Sequence, residues 1–390
     1  MSTLMAKKIY VDGLGLVEGH FSGIGQYILG VLRGIDELIE ETKYSGEVVP
    51  KVVVIIPRDT VEKFQKYHFK NITYRKFPLP FRYMAALWHR GWMPPLDLIY
   101  GRGVYIFPRF VGMPLLFSKS ALVIYDLSYE LYRQYSDEQN ARFLSRGVPR
   151  SLKRASHLIA ISENGKQEIA DFYKVQKSKI AVASPATDES LFYRRSPEEI
   201  EEVKHKYGIK GDYILALSNL EPRKNLDGLI DAYCSLPKSI TDKYGLLLVG
   251  VNGWKIEALF KKIIQKIEEG YNIMRPAKYV TDEDKPAILS GAKMLVYPSH
   301  YEGFGMPPLE ALACGTPVVA SDNSSLPEAV GDGGILVPST DTTAIAQAIK
   351  DTIDSKDDIS TITARGEAQA RKYSWRKSAA TFLSIAKGLM

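Results

Sequence analysis

Short runs of apolar, often β-branched residues recur along the chain and alternate with longer segments of helical periodicity. Five runs fall in the first half of the sequence, at residues 9–11, 52–56, 122–125, 158–161 and 180–183. Five more fall in the second half, at residues 213–217, 246–249, 294–297, 317–320 and 335–337. The runs are nearly continuous in hydrophobicity, which is typical of strands buried on both faces of a parallel sheet.

The segments between these runs carry the three- and four-residue spacing of amphipathic helices. The clearest apolar stripe follows the first strand and consists of Ile24, Tyr27, Ile28, Val31, Leu32, Ile35, Leu38 and Ile39. Repeated strand–helix units of this kind predict an α/β protein with parallel sheets.

A break in the repeat near residues 184–197 divides the chain into two domains of similar size. It ends on Ser196-Pro197-Glu198-Glu199, which has the serine cap, early proline and later glutamate of a helix start. The last helix begins at Ser374, and no later element exists to cover its apolar face. That face, which must dock on a body already built, consists of Trp375, Ala379, Phe382, Leu383 and Ala386.

Composition excludes several classes of protein. Of the 390 residues, 45% are hydrophobic and 25% charged, which is ordinary for a globular protein and excludes disordered or collagen-like chains. No apolar run approaches the ~20 residues that cross a bilayer, and the N-terminus lacks the features of a signal peptide. The two cysteines, Cys234 and Cys314, fit a reducing compartment, so we expect a cytoplasmic protein.

Positive charge is concentrated in the first half of the chain. Residues 1–190 hold 26 basic and 19 acidic residues, a net charge of +7, whereas residues 191–390 have a net charge of −1. The stretch 63–110 has nine basic residues against Asp97 alone, interleaved with aromatic residues. This half should face an anionic partner: nucleic acid, phospholipid head groups or a pyrophosphate-bearing substrate. A solvated insertion is the alternative.

Glycines and basic residues follow two of the predicted strands. Gly23 and Gly25 precede the first long helix, where the backbone can approach a ligand and the helix N-terminus favours an anion. A tight turn would use the same glycines.

Arg223 and Lys224 follow the first strand of the second half, at the edge where α/β sheets bind ligands. Adjacent Arg and Lys suit a pyrophosphate, although a solvated turn would also contain them.

A glycine-rich turn with two carboxylates follows the predicted strand at 294–297. Its sequence over residues 301–310 is YEGFGMPPLE, with Glu302 on the turn and Glu310 about one turn into a helix. Free N–H groups of such a turn can face an anion. The two carboxylates can bind hydroxyl pairs of two sugars at opposite ends of one ligand, and a purely structural loop rarely has this composition.

In order along the chain, SGIGQY, SNLEPRKNL, YVTDED, EGFGMPPLEALACGTPV and YSWRKSA resemble segments of glycosyltransferase family 4. Members of this family are retaining, nucleotide-sugar-dependent enzymes with the GT-B fold. The resemblance implies an α/β protein of two Rossmann-like domains, whose parallel sheets face each other across a cleft. It also implies that the last helix crosses back, so that residues 1–190 plus 374–390 form the acceptor domain and 191–373 the donor domain.

The resemblance implies roles for individual residues as well. Arg223 and Lys224 would neutralise the donor diphosphate and stabilise the leaving group, with Asp126 as a nearby carboxylate. Glu302 would bind hydroxyls of the donor sugar, and Glu310 would bind those of the ribose. The other positions assigned to the donor site are Gly23, Gly25, Tyr125, Tyr279, Val280, Gly303, Phe304, Gly305, Met306 and Leu309.

Three parts of this set have distinct expected roles. The turn at 303–306 would donate backbone N–H groups to the donor sugar. Tyr279 and Val280 would lie beside the base, mainly through their backbone. The loop at 23–25 would close over the diphosphate.

The sequence departs from the family at the end of the predicted strand 122–125. The family usually has a histidine before the aspartate at this place, close to the reacting carbon, and this chain has Tyr125 before Asp126. A phenol can hydrogen-bond a sugar hydroxyl but stays neutral to about pH 10. The departure leaves the identity of the sugar open.

No metal or other cofactor is expected. Asp282-Glu283-Asp284 has the D-x-D form of a metal motif in another glycosyltransferase class, but it opens a predicted helix at 282–290, where acidic residues favour the helix dipole. The six histidines show no pairing at metal-ligand spacing. Because Arg223 and Lys224 supply positive charge, activity should survive EDTA.

The expected substrates are a nucleotide-sugar and a saccharide. Mannose from GDP-mannose is common among similar family members, with UDP-glucose and dTDP-rhamnose as alternatives and a GT-B sugar-nucleotide epimerase as a rival reading. The basic segment with Trp88 and Trp92 suggests a lipid-linked acceptor of cell-surface polysaccharide assembly and contact with the inner face of the membrane. Nucleic acid is not expected, because it leaves Glu302 and Glu310 unexplained.

Overall fold

A computed structural model describes residues 8–17, 23–45, 50–89, 92–276, 278–355 and 359–390. These residues form two compact units. The first contains the described residues up to Glu130, together with Glu138–Pro185 and Ser374–Met390. The second contains Leu131–Asp137 and Ala186–Tyr373. The division after Pro185 lies slightly before the predicted boundary at 190, and the membership of Leu131–Asp137 in the second unit was not predicted.

The first unit is built on a parallel sheet. Its strands are β1 (Lys8–Asp12), β2 (Lys51–Pro57), β3 (Thr73–Phe77), β4 (Val104–Phe107), β5 (Lys119–Ile124), β6 (His157–Ala160) and β7 (Ile180–Val182). They lie in the order β3-β2-β1-β4-β5-β6-β7. Most of these strands are buried along nearly their whole length, as expected when helices cover both faces of a sheet.

Helices on both faces complete the first unit. Those described are α1 (Leu14–Val17), α2 (Gly23–Ser45), α3 (Val61–Gln65), α4 (Phe81–His89), α5 (Leu96–Tyr100), α6 (Ser128–Leu131), α7 (Glu138–Arg154), α8 (Glu163–Tyr173) and, from the end of the chain, α18 (Trp375–Leu389). Among the residues described, no helix is both long and apolar enough to cross a membrane.

Helix α18 packs closely along α2, as predicted for the otherwise uncovered last helix. Its cap is Ser374, whose hydroxyl accepts a hydrogen bond from the backbone N–H of Lys377. Glycines in α2 permit the close approach: a Cβ at Gly30 would lie 2.3 Å from the ring of Trp375. Tyr27 of α2 contacts both Trp375 and Phe382, with ring centroids 5.8 and 6.2 Å apart.

The second unit has its own parallel sheet. Its strands are β8 (Asp212–Leu217), β9 (Tyr244–Val249), β10 (Ile273–Met274), β11 (Met294–Tyr297), β12 (Val318–Ser321) and β13 (Gly334–Val337), in the order β10-β9-β8-β11-β12-β13. Its helices are α9 (Pro197–Tyr207), α10 (Leu226–Cys234), α11 (Lys238–Thr241), α12 (Glu257–Glu268), α13 (Lys285–Gly291), α14 (Met306–Ala313), α15 (Leu326–Val330), α16 (Thr342–Asp354) and α17 (Ile359–Ala370). The prediction of two Rossmann-like domains with parallel sheets is confirmed.

All ten predicted strands are present, and β3, β4 and β10 were missed. The edge strand β3 reads TYRKF and is largely exposed at three of its five positions, so it lacks the apolar signature used for prediction. Strand β10 has only two residues. Strand β4 reads VYIF and is fully buried. It lies inside the stretch 63–110, where basic and aromatic residues indicated a binding surface rather than a strand.

Candidate active site

The candidate site of the second unit forms where two neighbouring strands end. Strands β8 and β11 are parallel partners, with Leu215 opposite Leu295. After β8 the chain reaches a 3-10 turn at Pro222–Lys224, and after β11 it enters the turn that leads into α14. Because the carboxyl ends of parallel strands meet at one edge of the sheet, Arg223 and Lys224 come to lie beside Glu302.

Arg223, Lys224 and Glu302 form a buried ion cluster together with Glu221. Arg223 Nη1 donates to Glu302 Oε2 at 3.0 Å, and its Nη2 donates to Glu221 Oε1 at 2.8 Å. Lys224 Nζ donates to the second oxygen of Glu302, Oε1, at 2.6 Å, and to the hydroxyl of Tyr297 at 3.0 Å. Two cations thus face two carboxylates at the end of the sheet, and the cluster is neutral as a group.

The electrostatics of the cluster favour an ionised Glu302. Burial alone would raise the pKa of this carboxyl, but the charges of Arg223 and Lys224 outweigh burial and lower the pKa to about 2. Burial and the neighbouring Arg223 lower the pKa of Lys224, whereas Glu302 opposes that shift. The charge of Lys224 therefore depends on its carboxylate partner.

The turn between β11 and α14 is fixed by the chain that follows β12. Ser324 Oγ accepts the backbone N–H of Glu302 at 2.9 Å, and Ser325 Oγ donates to the Glu302 carbonyl at 2.8 Å. Gly305 has φ of 116°, and a Cβ there would lie 2.8 Å from Leu326, so the turn requires glycine.

Only part of this motif can offer side chains to a ligand. Phe304 and Leu309 are buried, and the Phe304 ring packs on Tyr373 with centroids 5.1 Å apart. Their predicted donor contacts are therefore restricted to the backbone. Gly303 and Met306 are partly exposed, which leaves their assignment as a prediction.

Glu310 lies on α14 and has a very different environment from Glu302. Its side chain is buried, and burial raises its pKa to about 7, opposed by the charge of Lys285 and reinforced by that of Asp282. Lys285 Nζ donates to Asp282 Oδ1 at 2.5 Å. Near neutral pH, Glu310 is therefore poised to exchange a proton.

The remaining predicted positions of the second unit lie just before α13. Tyr279 is 63% exposed, whereas Val280 is buried. The D-x-D carboxylates are engaged within the protein: Asp282 binds Lys285, and Asp284 accepts from Lys206 and from the Tyr207 hydroxyl, both at 2.6 Å. Across the described ranges, no group of three or more His, Cys, Asp or Glu residues could hold a metal ion.

Four predicted site residues belong to the first unit. Gly23 and Gly25 lie in the first turn of α2, and the space around the Cβ position of Gly23 is open. Ser22 of the same motif lies outside the described residues. The Tyr125 ring is buried against Tyr27, and its hydroxyl donates to the Pro108 carbonyl at 2.9 Å. Asp126 Oδ1 accepts from the N–H and the hydroxyl of Ser128. The Tyr125 hydroxyl is thus bonded within the protein, and the assignments of Tyr125 and Asp126 to the site stay predictions.

Several neighbours of the cluster were missed by sequence reasoning. Glu221 directly precedes the Pro-Arg-Lys run, and Tyr297 is the last residue of β11, so both had a local signal. Tyr132 and Tyr135 stack on the two residues before Glu302, and no local signal could have found them, because they lie far away in the sequence.

Comparisons with known proteins find similar sequences over much of the chain. A family model described as glycosyl transferases group 1 matches residues 199–369. O-antigen chain mannosyltransferase B of Escherichia coli is 34% identical over 273 residues, which cover 70% of this chain and 71% of that protein. Serotype-specific mannosyltransferase WbdA of Escherichia coli is 29% identical over 67% of this chain, but the match spans only 32% of that longer protein.

A solved structure extends the likeness to the whole chain. Anabaena Alr3699/HepE in complex with UDP and glucose has a TM-score of 0.71 and 16% sequence identity, covering 98% of this chain and 99% of that one. At this level of identity the likeness concerns the fold, and it confirms the GT-B assignment.

Proposed function

Because the chain belongs to the glycosyl transferases group 1 family and is a glycosyltransferase, we propose that it transfers mannose from GDP-mannose to a saccharide, with retention of configuration. The observation that carries the proposal is the buried cluster of Arg223, Lys224 and Glu302 at the ends of β8 and β11. Its cations suit the diphosphate of a nucleotide-sugar, and its carboxylate suits the hydroxyls of the sugar.

The cations act on the leaving group. Arg223 offers a planar fork and Lys224 a compact charge, and both are held in place before a donor binds by Glu221 and Glu302. A preorganised pair of this kind stabilises negative charge that develops on the departing diphosphate oxygen without reorganising during the reaction. This charge is supplied by the protein itself, so a divalent cation is not required.

The carboxylates orient the donor. Glu302 is ionised and accepts from Arg223 and Lys224, and a carboxylate can also accept hydroxyl hydrogens of the transferred sugar. Glu310 accepts the ribose hydroxyls, and Tyr279 and Val280 lie beside the base. Backbone N–H groups of 303–306 contact the sugar.

The reaction proceeds with retention. The acceptor hydroxyl attacks the anomeric carbon from the face that the diphosphate leaves, and the departing oxygen accepts the hydroxyl proton. The new glycosidic bond forms as the carbon–oxygen bond to the diphosphate breaks, and no protein base is needed. Exclusion of water from the bound substrates prevents hydrolysis of the donor.

The choice of mannose is supported by the relatives named above, which are mannosyltransferases. UDP-glucose and dTDP-rhamnose are the alternative donors, and a complex with UDP and glucose is known for the Anabaena neighbour. A thermal-shift panel of GDP-, UDP- and dTDP-sugars separates these options, because a bound ligand stabilises the folded protein by mass action. We expect GDP-mannose to raise Tm at a lower concentration than the other sugar nucleotides do. If another sugar nucleotide raises Tm at a lower concentration, that compound would replace GDP-mannose as the proposed donor.

A sugar-nucleotide epimerase of the same fold is the rival function. Incubation of the protein with a nucleotide-sugar and no acceptor distinguishes the two. The transferase leaves the donor intact apart from slow hydrolysis, whereas an epimerase accumulates an epimeric nucleotide-sugar.

The acceptor is proposed to be a lipid-linked saccharide of cell-surface polysaccharide assembly, reached from the cytoplasmic face of the membrane. Support comes from a surface that we call the α5 surface, formed by Leu98, Ile99, Leu116 and Phe117. Leu98, Leu116 and Phe117 are each about 60% exposed. Asp97 ties the two segments together, because its carboxylate accepts the backbone N–H groups of residues 116–118.

Positive charge adjoins this apolar surface. The Arg102 guanidinium lies 5.2 Å from the centroid of the Phe117 ring, and Lys119, two residues after Phe117, is exposed. Asp97, the one acid of the stretch 63–110, is buried, so it is not available to pair with cations at this surface. Exposed apolar side chains beside cations suit an anionic bilayer, at about 1 kcal/mol per cation near the surface. Arg90 and the Trp88 side chain, which contributed to this expectation, lie outside the described residues.

Vesicle sedimentation tests the membrane contact. Binding to vesicles with anionic lipid, weaker binding to zwitterionic vesicles and release by salt are expected. Phe117→Ser should weaken binding, whereas Phe172→Ser, which changes another exposed phenylalanine of the first unit, should not. Equal behaviour of the two variants, or no vesicle binding at low salt, would contradict the contact.

A further inference from the structure

A short segment, Leu131–Asp137, packs against the two residues that precede Glu302. The ring of Tyr132 stacks on that of Tyr301, with centroids 4.7 Å apart and planes inclined by 30°. The ring of Tyr135 stacks on the imidazole of His300, with centroids 4.9 Å apart and planes inclined by 13°. Two consecutive residues of the site are thus each covered by an aromatic ring of one segment, which belongs to the same unit.

Hydrogen bonds hold the backbone of this segment in place. The indole Nε1–H of Trp254 donates to the Tyr135 carbonyl at 2.8 Å, and Lys255 Nζ donates to the Gln134 carbonyl at 3.0 Å. Residues 133–135 form one 3-10 turn, which directs the rings of Tyr132 and Tyr135 to the same side with their planes inclined by only 14°. The two rings therefore form one continuous aromatic surface.

His300 and Tyr301, on which these rings stack, are both hydrogen-bonded to Arg223. The backbone N–H of His300 donates to the Arg223 carbonyl at 2.9 Å, and Arg223 Nη1 donates to the Tyr301 carbonyl at 2.6 Å. The main chain of 300–301 thus fixes Arg223 at both its backbone and its guanidinium, and it leads directly into Glu302.

We propose that Tyr132 and Tyr135 are positioning residues for the leaving-group cation, acting through His300 and Tyr301 on Arg223 and Glu302; this inference rests on the proposed function. The stacked rings hold the backbone of residues 300–301 so that the Tyr301 carbonyl aims the Arg223 guanidinium. Stabilisation of a departing diphosphate depends on the placement of donor groups, and a displacement of about 1 Å is enough to lower the rate by orders of magnitude.

Loss of a ring should therefore affect turnover more than ground-state binding. Substrate binding tolerates a mobile Arg223, because flexible charge still attracts the diphosphate. Transition-state stabilisation does not, since it requires the guanidinium to be aimed before charge develops. The signature of a positioning role is a fall in kcat with a much smaller change in KM for the donor.

The experiment compares Tyr132→Ala and Tyr135→Ala with Tyr132→Phe and Tyr135→Phe, which keep the ring. We expect kcat to fall at least about tenfold in the alanine variants, KM for the donor to change less than about threefold, and phenylalanine to restore most of the lost rate. Tyr193→Ala is the matched control, because it removes another ring of this unit that packs on a guanidinium, that of Arg195. It should leave kcat unchanged.

A double-mutant cycle with Arg223→Lys tests whether the rings act through the arginine. In the Arg223→Lys background, Tyr132→Ala should lower kcat by a far smaller factor than in the wild type, because the guanidinium that the Tyr132 ring positions is gone. Additive losses would overturn the inference. Should the alanine variants fail to fold, Trp254→Phe removes the hydrogen bond to the segment while keeping an aromatic ring, and an unchanged kcat in it would count against the inference.

Nucleotide binding separates this inference from the proposed function. Wild-type protein that is not stabilised by GDP, UDP or dTDP in thermal shift would overturn both. Protein that binds a nucleoside diphosphate and transfers sugar, but whose Tyr132→Ala and Tyr135→Ala variants turn over like the wild type, would overturn the positioning role alone.

Discussion

Glu302 and Glu310 lie eight positions apart in one motif, yet their surroundings drive their proton affinities in opposite directions. Glu302 is buried with two cations, and its pKa falls to about 2. Glu310 is buried without a bonded cation of its own, and burial raises its pKa to about 7. One carboxylate is therefore ionised at any physiological pH, and the other titrates close to neutrality.

This difference predicts the pH dependence of donor binding. If Glu310 binds the ribose as proposed, the ribose hydroxyls donate to its ionised form, so KM for the donor should rise as pH falls below 7, by up to about tenfold per pH unit. Glu310→Gln should abolish this dependence between pH 5.5 and 8.5. A wild-type profile that is flat over this range would contradict the assignment of Glu310 to the donor site.

The same group predicts an opposite trend in stability. The pKa of Glu310 is raised on folding, so the folded state favours the protonated form, and stability is lost as pH rises through about 7. Glu310→Gln should therefore raise Tm at pH 8 and have little effect at pH 5, as measured by thermal unfolding without ligand. An equal change at the two pH values would contradict burial as the cause of the shift.

Lys224 carries a prediction about turnover. Lys224→Met keeps the buried stem but removes the charge that faces Glu302, and we expect kcat to fall by at least about 100-fold, as when one donor to a developing anion is deleted. Lys262→Met is the control, because it breaks a surface pair with Asp231 and should leave kcat intact. Near wild-type turnover of Lys224→Met would remove Lys224 from the site.

The packing of α18 on α2 depends on Gly30 and Gly34 of α2. In Gly30→Ala the new Cβ would overlap the ring of Trp375, whose bulk cannot move aside easily, so we expect a loss of about 1–3 kcal/mol in the free energy of unfolding. Gly388→Ala is the control on α18, because nothing lies within 4 Å of its Cβ position. Urea unfolding should show a lower midpoint for Gly30→Ala alone, and equal midpoints would contradict the close packing.

Elements with a clear apolar signature were predictable, and those defined by their neighbours were not. The capping box of Ser196 and Glu199 forms as expected, because a cap is a local interaction. Helix α13 begins at Lys285 rather than 282, since the acidic residues that suggested an earlier start bind Lys206, Tyr207 and Lys285 instead. The edge strands β3 and β10 exist through pairing with buried strands, which a local pattern does not reveal.

The glycine-rich motif at residues 301–310 could be singled out from the sequence because its residues are close together and chemically unusual. The sequence identified Arg223, Lys224 and Glu302 as candidate site residues. It did not show that they bind one another, because that depends on strands β8 and β11 being neighbours in the sheet. The bond of the Tyr125 hydroxyl to the Pro108 carbonyl could not be predicted, because the two residues are distant in the sequence. The role of Leu131–Asp137 could only come from the three-dimensional structure.

For the whole protein, the pairing of both D-x-D carboxylates leads to a prediction about metal ions. Asp282 and Asp284 are engaged with basic and hydroxyl groups, and Arg223 and Lys224 provide the charge that a metal would supply. Sugar transfer should therefore proceed at an unchanged rate in EDTA. A loss of rate that Mg²⁺ or Mn²⁺ restores would contradict this and return Asp282 and Asp284 to the site.

The most direct test of the account is transfer from GDP-mannose to a lipid-linked saccharide in the presence of EDTA, with the product analysed by mass spectrometry and NMR. The account predicts a product heavier by one hexose, with the anomeric configuration of the donor preserved, and its loss in Lys224→Met. Failure of the wild-type protein to transfer sugar from GDP-mannose, UDP-glucose or dTDP-rhamnose, or a product of inverted configuration, would contradict it.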